Sequence, residues 1–243
     1  MKKFAQTMAL VATLLAPLAS HADALSEDRV KELVLEAIRE NPEIVLEAVQ
    51  IIERREQERQ AAAAASVLSE NRDLLENDPN APVLGNPEGD VTVVEFFDYN
   101  CPYCRRVKPH IEALLDEDPN VKLVYREWPI LGDGSVFAAR AALAAREQGK
   151  YEEFHWALMG MQGRAEEASV IQVAQEIGLD VAQLRRDMQA PEIDAHIAAS
   201  MEMSRALGFN GTPSFVIGDA LVPGVIEADQ MIRLAQEARA AGQ

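Results

Sequence analysis

The sequence predicts an α/β chain in which a β-α-β unit, a helical insert and a closing β-β-α unit follow N-terminal helices. Three observations carry this. Apolar runs at 91–97 and 121–126 flank one helical stretch, two short apolar runs at 214–217 and 220–222 precede another, and residues 135–208 are helical in texture throughout. A chain of 243 residues can hold one domain with a core and an accessory segment.

Taken in order, the chain opens with the layout of an export signal. Lys2 and Lys3 form a charged start, Met8 to Leu18 an apolar stretch, and Ser20-His21-Ala22 or Ala22-Asp23-Ala24 a small-residue cleavage site. Residues 1–24 are therefore expected to be a signal peptide that delivers the chain to the periplasm. The apolar run is too short to cross a bilayer and no other comes close, so no membrane insertion is expected. A net charge of −17 argues against nucleic acid and anionic membrane surfaces as partners. Export leads to an oxidising compartment where disulfides persist. Yet the chain has only two cysteines, too close in sequence to staple a fold, which suggests a pair kept for chemistry.

Residues 25–78 read as helices. Ser26 caps a helix whose first turn is acidic, and Val30, Leu33, Val34, Ala37 and Ile38 form its apolar stripe. Asn41-Pro42 restarts the pattern, with Asn41 as cap and Pro42 as first helical residue. Ile44, Val45, Ala48, Val49 and Ile52 give a second stripe, and the helix runs on through a charged stretch and alanines 61–65 until Asp78-Pro79. The charged and alanine-rich middle offers little apolar area to hold this segment on a domain. Homo-oligomerisation through residues 25–78 is therefore expected, with packing on the body of the chain as the alternative.

Residues 79–243 form the main domain. Pro82-Val83-Leu84 and the turn Gly85 to Asp90 predict a short strand and a hairpin-like connection. Val91–Phe97 predicts a buried strand, about 101–118 a helix, and 121–126 a second strand joined in parallel by that crossover. The helical insert at about 135–208 breaks at Gly149-Lys150, Gly160 to Gly163, Gly178 and Pro191. Ser214–Ile217 and Ala220–Val222 predict a hairpin around Gly218-Asp219, followed by a closing helix from Glu227 to Ala240.

The chemistry concentrates at Cys101-Pro102-Tyr103-Cys104, where strand turns into helix. Pro102 suits a first helical position, which leaves Cys101 as the cap. Free N–H groups and the positive end of the helix dipole there favour a thiolate. Cys104, one turn further in, is the resolving thiol. A structural disulfide closing so short a loop would constrain the unfolded chain little. Zinc lacks ligands at suitable spacing, since His110, His155 and His196 are scattered. Copper(I) on two thiolates stays open, with Met159, Met161, Met201 and Met203 nearby in type. Neither a resident metal nor a cofactor is expected. Glu95 lies within an apolar strand, sharing a face with Val93 and Phe97, while Val94 and Phe96 line the other. Burial would raise its pKa and make it a proton acceptor for Cys104; pairing with a basic residue is the alternative. Pro109 predicts a kink in the following helix.

These residues resemble the thioredoxin-fold oxidoreductases of the bacterial envelope, the DsbA family, over roughly residues 80–243. The resemblance rests on Glu95, Cys101-Pro102-Tyr103-Cys104, Pro109, the insert and Thr212-Pro213. It implies an α/β thioredoxin fold with an inserted helical domain. It implies a cis Pro213 facing the dithiol, with Thr212 controlling access, and Pro102, Tyr103, Thr212 and Pro213 contacting substrate. Tyr103 and Thr212 look like the isomerase and reductase branch, whereas the strongly oxidising members carry His and Val there. The N-terminal helices resemble the suppressor-of-copper-sensitivity C and Com1-like subgroup, some of whose members oligomerise. The implied activity is disulfide exchange with unfolded or misfolded cysteine-containing proteins, with isomerase or reductase capacity and a membrane redox partner that resets the dithiol. A copper-tolerance protein or a plain dithiol oxidase is the alternative.

Overall fold

The computed structural model describes residues 26–242; the expected signal peptide, 1–24, lies outside them. The described residues divide into two units, the first ending at Arg55 and the second beginning at Glu56.

In the first unit, helix α1 (Glu27–Glu40) starts at Ser26, whose side chain accepts from the Arg29 N–H at 3.3 Å. Asn41 does not cap the next helix as expected. It closes α1 instead, its backbone N–H and its amide both donating to the Ala37 carbonyl, at 2.9 and 3.2 Å. Helix α2 (Glu43–Asn77) follows. No residue of α1 is buried, and the apolar stripes stand exposed: Val34 by 52%, Val45 by 47% and Ile52 by 65%.

The second unit is built on a five-stranded sheet of order β1-β3-β2-β4-β5, formed by β1 (Val83–Gly85), β2 (Val91–Phe97), β3 (Val121–Glu127), β4 (Ser214–Ile217) and β5 (Ala220–Pro223). Helix α3 (Pro102–Glu117) makes the crossover between β2 and β3, which pair in parallel from Val91↔Val121 to Phe97↔Glu127. The insert contains α4 (Asp133–Ala144), α5 (Tyr151–Gly160), α6 (Glu167–Glu176), α7 (Val181–Asp187) and α8 (Pro191–Ala206); α9 (Ala228–Ala240) closes the chain. Pro109 lies inside α3, where it cannot donate to the Arg105 carbonyl.

The expected hairpin-like connection at 85–90 is not a hairpin. β1 pairs antiparallel with β3, and the turn carries the chain past β3 to β2 in the middle of the sheet. Glycines permit this. Gly85 has φ +69°, and a Cβ on Gly89 would sit 2.4 Å from the Asn120 carbonyl oxygen.

Both faces of β2 are covered, as a near-continuous apolar run predicts. Val91, Val93 and Phe97 face a core shared with α3, α9 and the insert, including Val107, Ile111, Met231 and Phe154. Val94 and Phe96 face a second core completed by Leu68 and Leu75 of α2, Trp128, Met203, Leu207 and Phe209. The C-terminal half of α2 thus belongs to the sheet unit, so the boundary falls after Arg55 where the sequence places it at 78. A buried ion pair joins the end of this helix to the sheet: Arg126 of β3 donates to Asp78 at 2.7 Å, and His196 approaches the same carboxylate at 3.3 Å.

Leu75 is fully buried, so Leu75→Ala opens a cavity beneath the sheet. It is expected to lower stability by about 2–5 kcal/mol in urea titration of the full chain.

Candidate active site

The site forms where β2 ends and α3 begins. Cys101 caps α3 with extended backbone (φ −79°, ψ 116°), and Pro102 supplies the first helical residue. The Cys101 N–H donates to the Asp98 carbonyl at 3.0 Å, which sets the sulfur at the head of the helix. Across from it the Thr212–Pro213 peptide bond is cis, and the Cys101 thiol lies 3.1 Å from the Thr212 carbonyl oxygen. Pro213 is buried and Thr212 half-buried; Pro102 and Tyr103 are exposed, with the Arg106 guanidinium 5.3 Å above the Tyr103 ring.

The two thiols, both reduced, differ in ionisation. Donors around Cys101 hold its pKa down to about 6: first the Cys104 thiol, then the Thr212 side chain and the backbone N–H groups of Cys104 and Tyr103, against the opposing effect of burial. Cys104 is pushed well up, first by burial, then by its hydrogen bond to Cys101 and the charges of Glu95 and Cys101. Near neutral pH the outer sulfur is therefore ionised and the inner one protonated.

Glu95 lies in this same core, 1% exposed, with no hydrogen-bond partner on either carboxylate oxygen. Among the described residues no basic group pairs with it, so the paired alternative is not seen there. Burial first, and the Cys101 charge second, push its pKa well above the usual carboxylate range.

Further residues hold the turn in place and were missed in the sequence. The buried Asp98 carboxylate accepts from the N–H groups of Asn100 (2.7 Å), Ile130 (2.7 Å) and Leu131 (2.9 Å). The Asn100 amide donates to Ser135 and to the Ala165 carbonyl, and its oxygen accepts from the Ala165 N–H at 2.8 Å. Arg105 donates to the carbonyls of Tyr99, Met161 and Gly163. Short polar residues between a strand end and a helix cap are a signal for Asp98 and Asn100, since such side chains bond their own turn. Arg105, which grips carbonyls of the distant insert, leaves no such local signal. Behind them Tyr99 and Tyr151 both donate to the buried Glu127 at 3.2 Å, and the Tyr99 hydroxyl meets His155 at 3.1 Å.

Among the described residues, no group of three or more His, Cys, Asp or Glu gathers to hold a metal. Met159 lies in the core that holds both cysteines, with Met161 packed against it; Met203 lies in the core on the opposite face of the sheet, and Met201 packs against both.

The model of the DSBA-like thioredoxin domain matches residues 92–236. A solved thioredoxin-like oxidoreductase from Silicibacter pomeroyi DSS-3 is 69% identical, with TM-score 0.69, covering 70% of this chain and 98% of that one. ScsC from Proteus mirabilis, solved in a compact conformation, is 29% identical, with TM-score 0.68, covering 89% of this chain and 100% of that one. The thiol-disulfide exchange protein α-DsbA2 of Wolbachia pipientis is 30% identical, with TM-score 0.68, covering 73% and 96%. The chain spans about a fifth to a quarter of the length of the curated relatives it matches, Na+/H+ antiporters such as one from Salinispora arenicola (32% identical, covering 56% of this chain and 21% of that one). No helix among the described residues is long and apolar enough to cross a membrane.

Alkylation of Cys101 by iodoacetamide is expected to reach half its maximal rate near pH 6, with Cys104 unmodified at pH 7 in mass spectrometry. The folded-state pKa of Cys101 lies below its ordinary value of 9.0, so the thiolate stabilises the dithiol form fully above pH 9. That contribution shrinks as pH falls and is gone below about 6. Denaturant titrations of Cys101→Ser beside the parent chain, both reduced, measure it.

Proposed function

The chain belongs to the DSBA-like thioredoxin family, and from that premise we propose that Cys101 and Cys104 are its exchanging dithiol. The protein is a thiol–disulfide oxidoreductase of the DsbA and ScsC type. The observation that carries the residue assignment is the pair of unlike thiols, the outer one at a helix head among donors that favour its thiolate and the inner one protonated behind it.

The Cys101 thiolate attacks one sulfur of a substrate disulfide. That S–S bond breaks, a mixed disulfide forms, and the other substrate sulfur leaves as a thiolate that takes a proton from water. Cys104 then gives its proton to Glu95 and attacks Cys101, so the mixed disulfide breaks and the second substrate sulfur leaves as a thiolate that takes a proton from water. Run in reverse, the same steps oxidise a substrate dithiol. The half-buried Thr212, whose carbonyl oxygen lies 3.1 Å from the Cys101 sulfur, and the cis-Pro213 that follows it would hold an extended substrate backbone, with the exposed Pro102 and Tyr103 also meeting substrate.

The substrates in this reading are unfolded or misfolded proteins in the periplasm, and a membrane redox partner resets the dithiol. Isomerase capacity needs a dithiol that waits reduced and acts more than once on a client. The exposed apolar residues of α1 and of the first half of α2 supply an assembly surface for a second copy of the chain, which would bring several dithiols to one client. Because Leu68 and Leu75 belong to the sheet's core, the segment to remove in testing this ends at Arg55 rather than at 78.

Three measurements test the reading. The purified protein is expected to reduce insulin and to reactivate scrambled ribonuclease, and Cys101→Ser to abolish both; activity undiminished in that variant would sink the assignment. Glu95→Gln is expected to slow release of substrate from the mixed disulfide by about 100-fold in stopped-flow assays, the lower range for a lost proton acceptor. A chain beginning at Glu56 is expected to run as a monomer in light scattering and still to reduce insulin, with its ribonuclease reactivation weakened.

A further inference from the structure

Among the buried groups of this core, two polar side chains stand side by side with nothing to bond. Glu95 of β2 and Tyr125 of β3 are direct partners in the parallel register and project to the same face of the sheet. Glu95 is 1% exposed and Tyr125 0%. Among the described residues, neither the Glu95 carboxylate oxygens nor the Tyr125 hydroxyl has a hydrogen-bond partner. Buried polar groups are bonded as a rule, and an unmet one costs the full desolvation of the group. The two other tyrosine hydroxyls of this core, on Tyr99 and Tyr151, are already committed to Glu127. Among the described residues, Tyr125 is thus the uncommitted hydroxyl donor on the Glu95 face.

The Tyr125 ring is held rather than loose. It packs edge-on against Phe97 at 5.1 Å, tilted on His155 at 4.3 Å and edge-on against Trp156 at 6.3 Å. The charged and titratable groups around it come from every neighbouring element: Glu95 of β2, Glu127 of its own strand, Lys108 and Glu112 of α3, and Tyr151, Glu152 and His155 of α5. Lys108 sits 5.0 Å above the Trp156 ring and pairs with Glu112 at the outer end of this gap. After burial, the Glu95 charge is the largest influence on Tyr125 ionisation, so the two groups lie within each other's field. Adjacent strands are about 4.8 Å apart, and a Glu side chain can turn across that distance.

We infer that Tyr125 is a positioning residue for Glu95, its hydroxyl donating a hydrogen bond to the carboxylate in the state that takes the proton from Cys104. The inference rests on the reading of Glu95 as that acceptor. A carboxylate in a dry core holds its charge only when a donor meets it. Tyr125 supplies the donor without adding a charge of its own. Two strand partners with matching polar ends then act as one unit: the acid loads a proton when Cys104 attacks, and the hydroxyl sets the pH at which it is ready to do so. The proton balance is unchanged. One proton leaves the Cys104 sulfur and arrives on Glu95, and Tyr125 keeps its own.

The test is Tyr125→Phe in the full chain, which removes one oxygen and keeps the ring. Cys104-dependent release from a preformed mixed disulfide is followed against pH by stopped flow. The rising limb is expected to move up by about one pH unit, about tenfold slower at a fixed pH on that limb, with the same plateau. The half-point for alkylation of Cys101 is expected to stay near pH 6, a readout that general loosening of the core would move. Glu95→Gln/Tyr125→Phe is expected to match Glu95→Gln alone, because the hydroxyl acts only through the acid. A Tyr125→Phe profile superimposable on the parent's, or a double variant in which the two losses multiply, overturns the inference. If Glu95→Gln itself releases substrate at the parent rate, the acceptor reading falls as well. A slow Glu95→Gln beside an unshifted Tyr125→Phe defeats the positioning role alone.

Discussion

One sulfur at the start of a helix, facing a carbonyl fixed by a cis-proline turn, is the constraint the rest of the site serves. Cys101 and Cys104 are chemically identical and one turn apart. What separates them is only what surrounds each sulfur: N–H and S–H donors around the first, and burial with a nearby carboxylate for the second. A thiolate near neutral pH can attack, and a protonated partner behind it waits until the first bond has formed. In the proposed reading, exchanging the two environments would reverse the order of events.

Holding that contrast requires a rigid turn, and the rigidity comes from across the sequence. Asp98 ties the turn to residues 130 and 131, Asn100 ties it to Ala165 and Ser135, and Arg105 reaches the carbonyls at 161 and 163. These bonds run from the strand–helix junction into the insert. The insert therefore does more than cover the sheet: it fixes the position of the helix head relative to the Thr212 carbonyl. The opposing influence is polar burial. Glu95, Tyr125 and one oxygen of Glu127 sit unmatched in the core, and native proteins keep such groups where function requires them.

The dithiol, the buried strand carrying Glu95 and the β-α-β order were legible because each has a local signature. Two cysteines three positions apart with Pro between them mark a helix start. Seven residues with apolar side chains on both faces mark a central strand. The hairpin and the closing helix were legible for the same reason. The place of β1 was not, because sequence proximity to β2 suggests pairing, while the outcome depends on two glycine-lined approaches to the far side of β3. Arg126 and Asp78 were illegible as a pair: 48 residues separate them, and a lone Arg in a strand or a lone Asp before a proline ordinarily faces solvent. The Glu127 network depended on the same kind of distant meeting, between residues of β3, the active-site turn and α5.

Helix α2 shows how one element can serve two purposes under a single local rule. Its downstream apolar positions, Ala64, Leu68 and Leu75, are buried and belong to the sheet unit. Its upstream stripe, Val45, Val49 and Ile52, is exposed. Between them lie a charged run and alanines 61–65. Alanine has the highest helix propensity and places little on any face, so this stretch keeps the backbone helical between the two sets. One local rule, helical periodicity, thus serves a downstream stretch that packs in the sheet's core and an upstream stretch whose large apolar side chains stand exposed among the described residues.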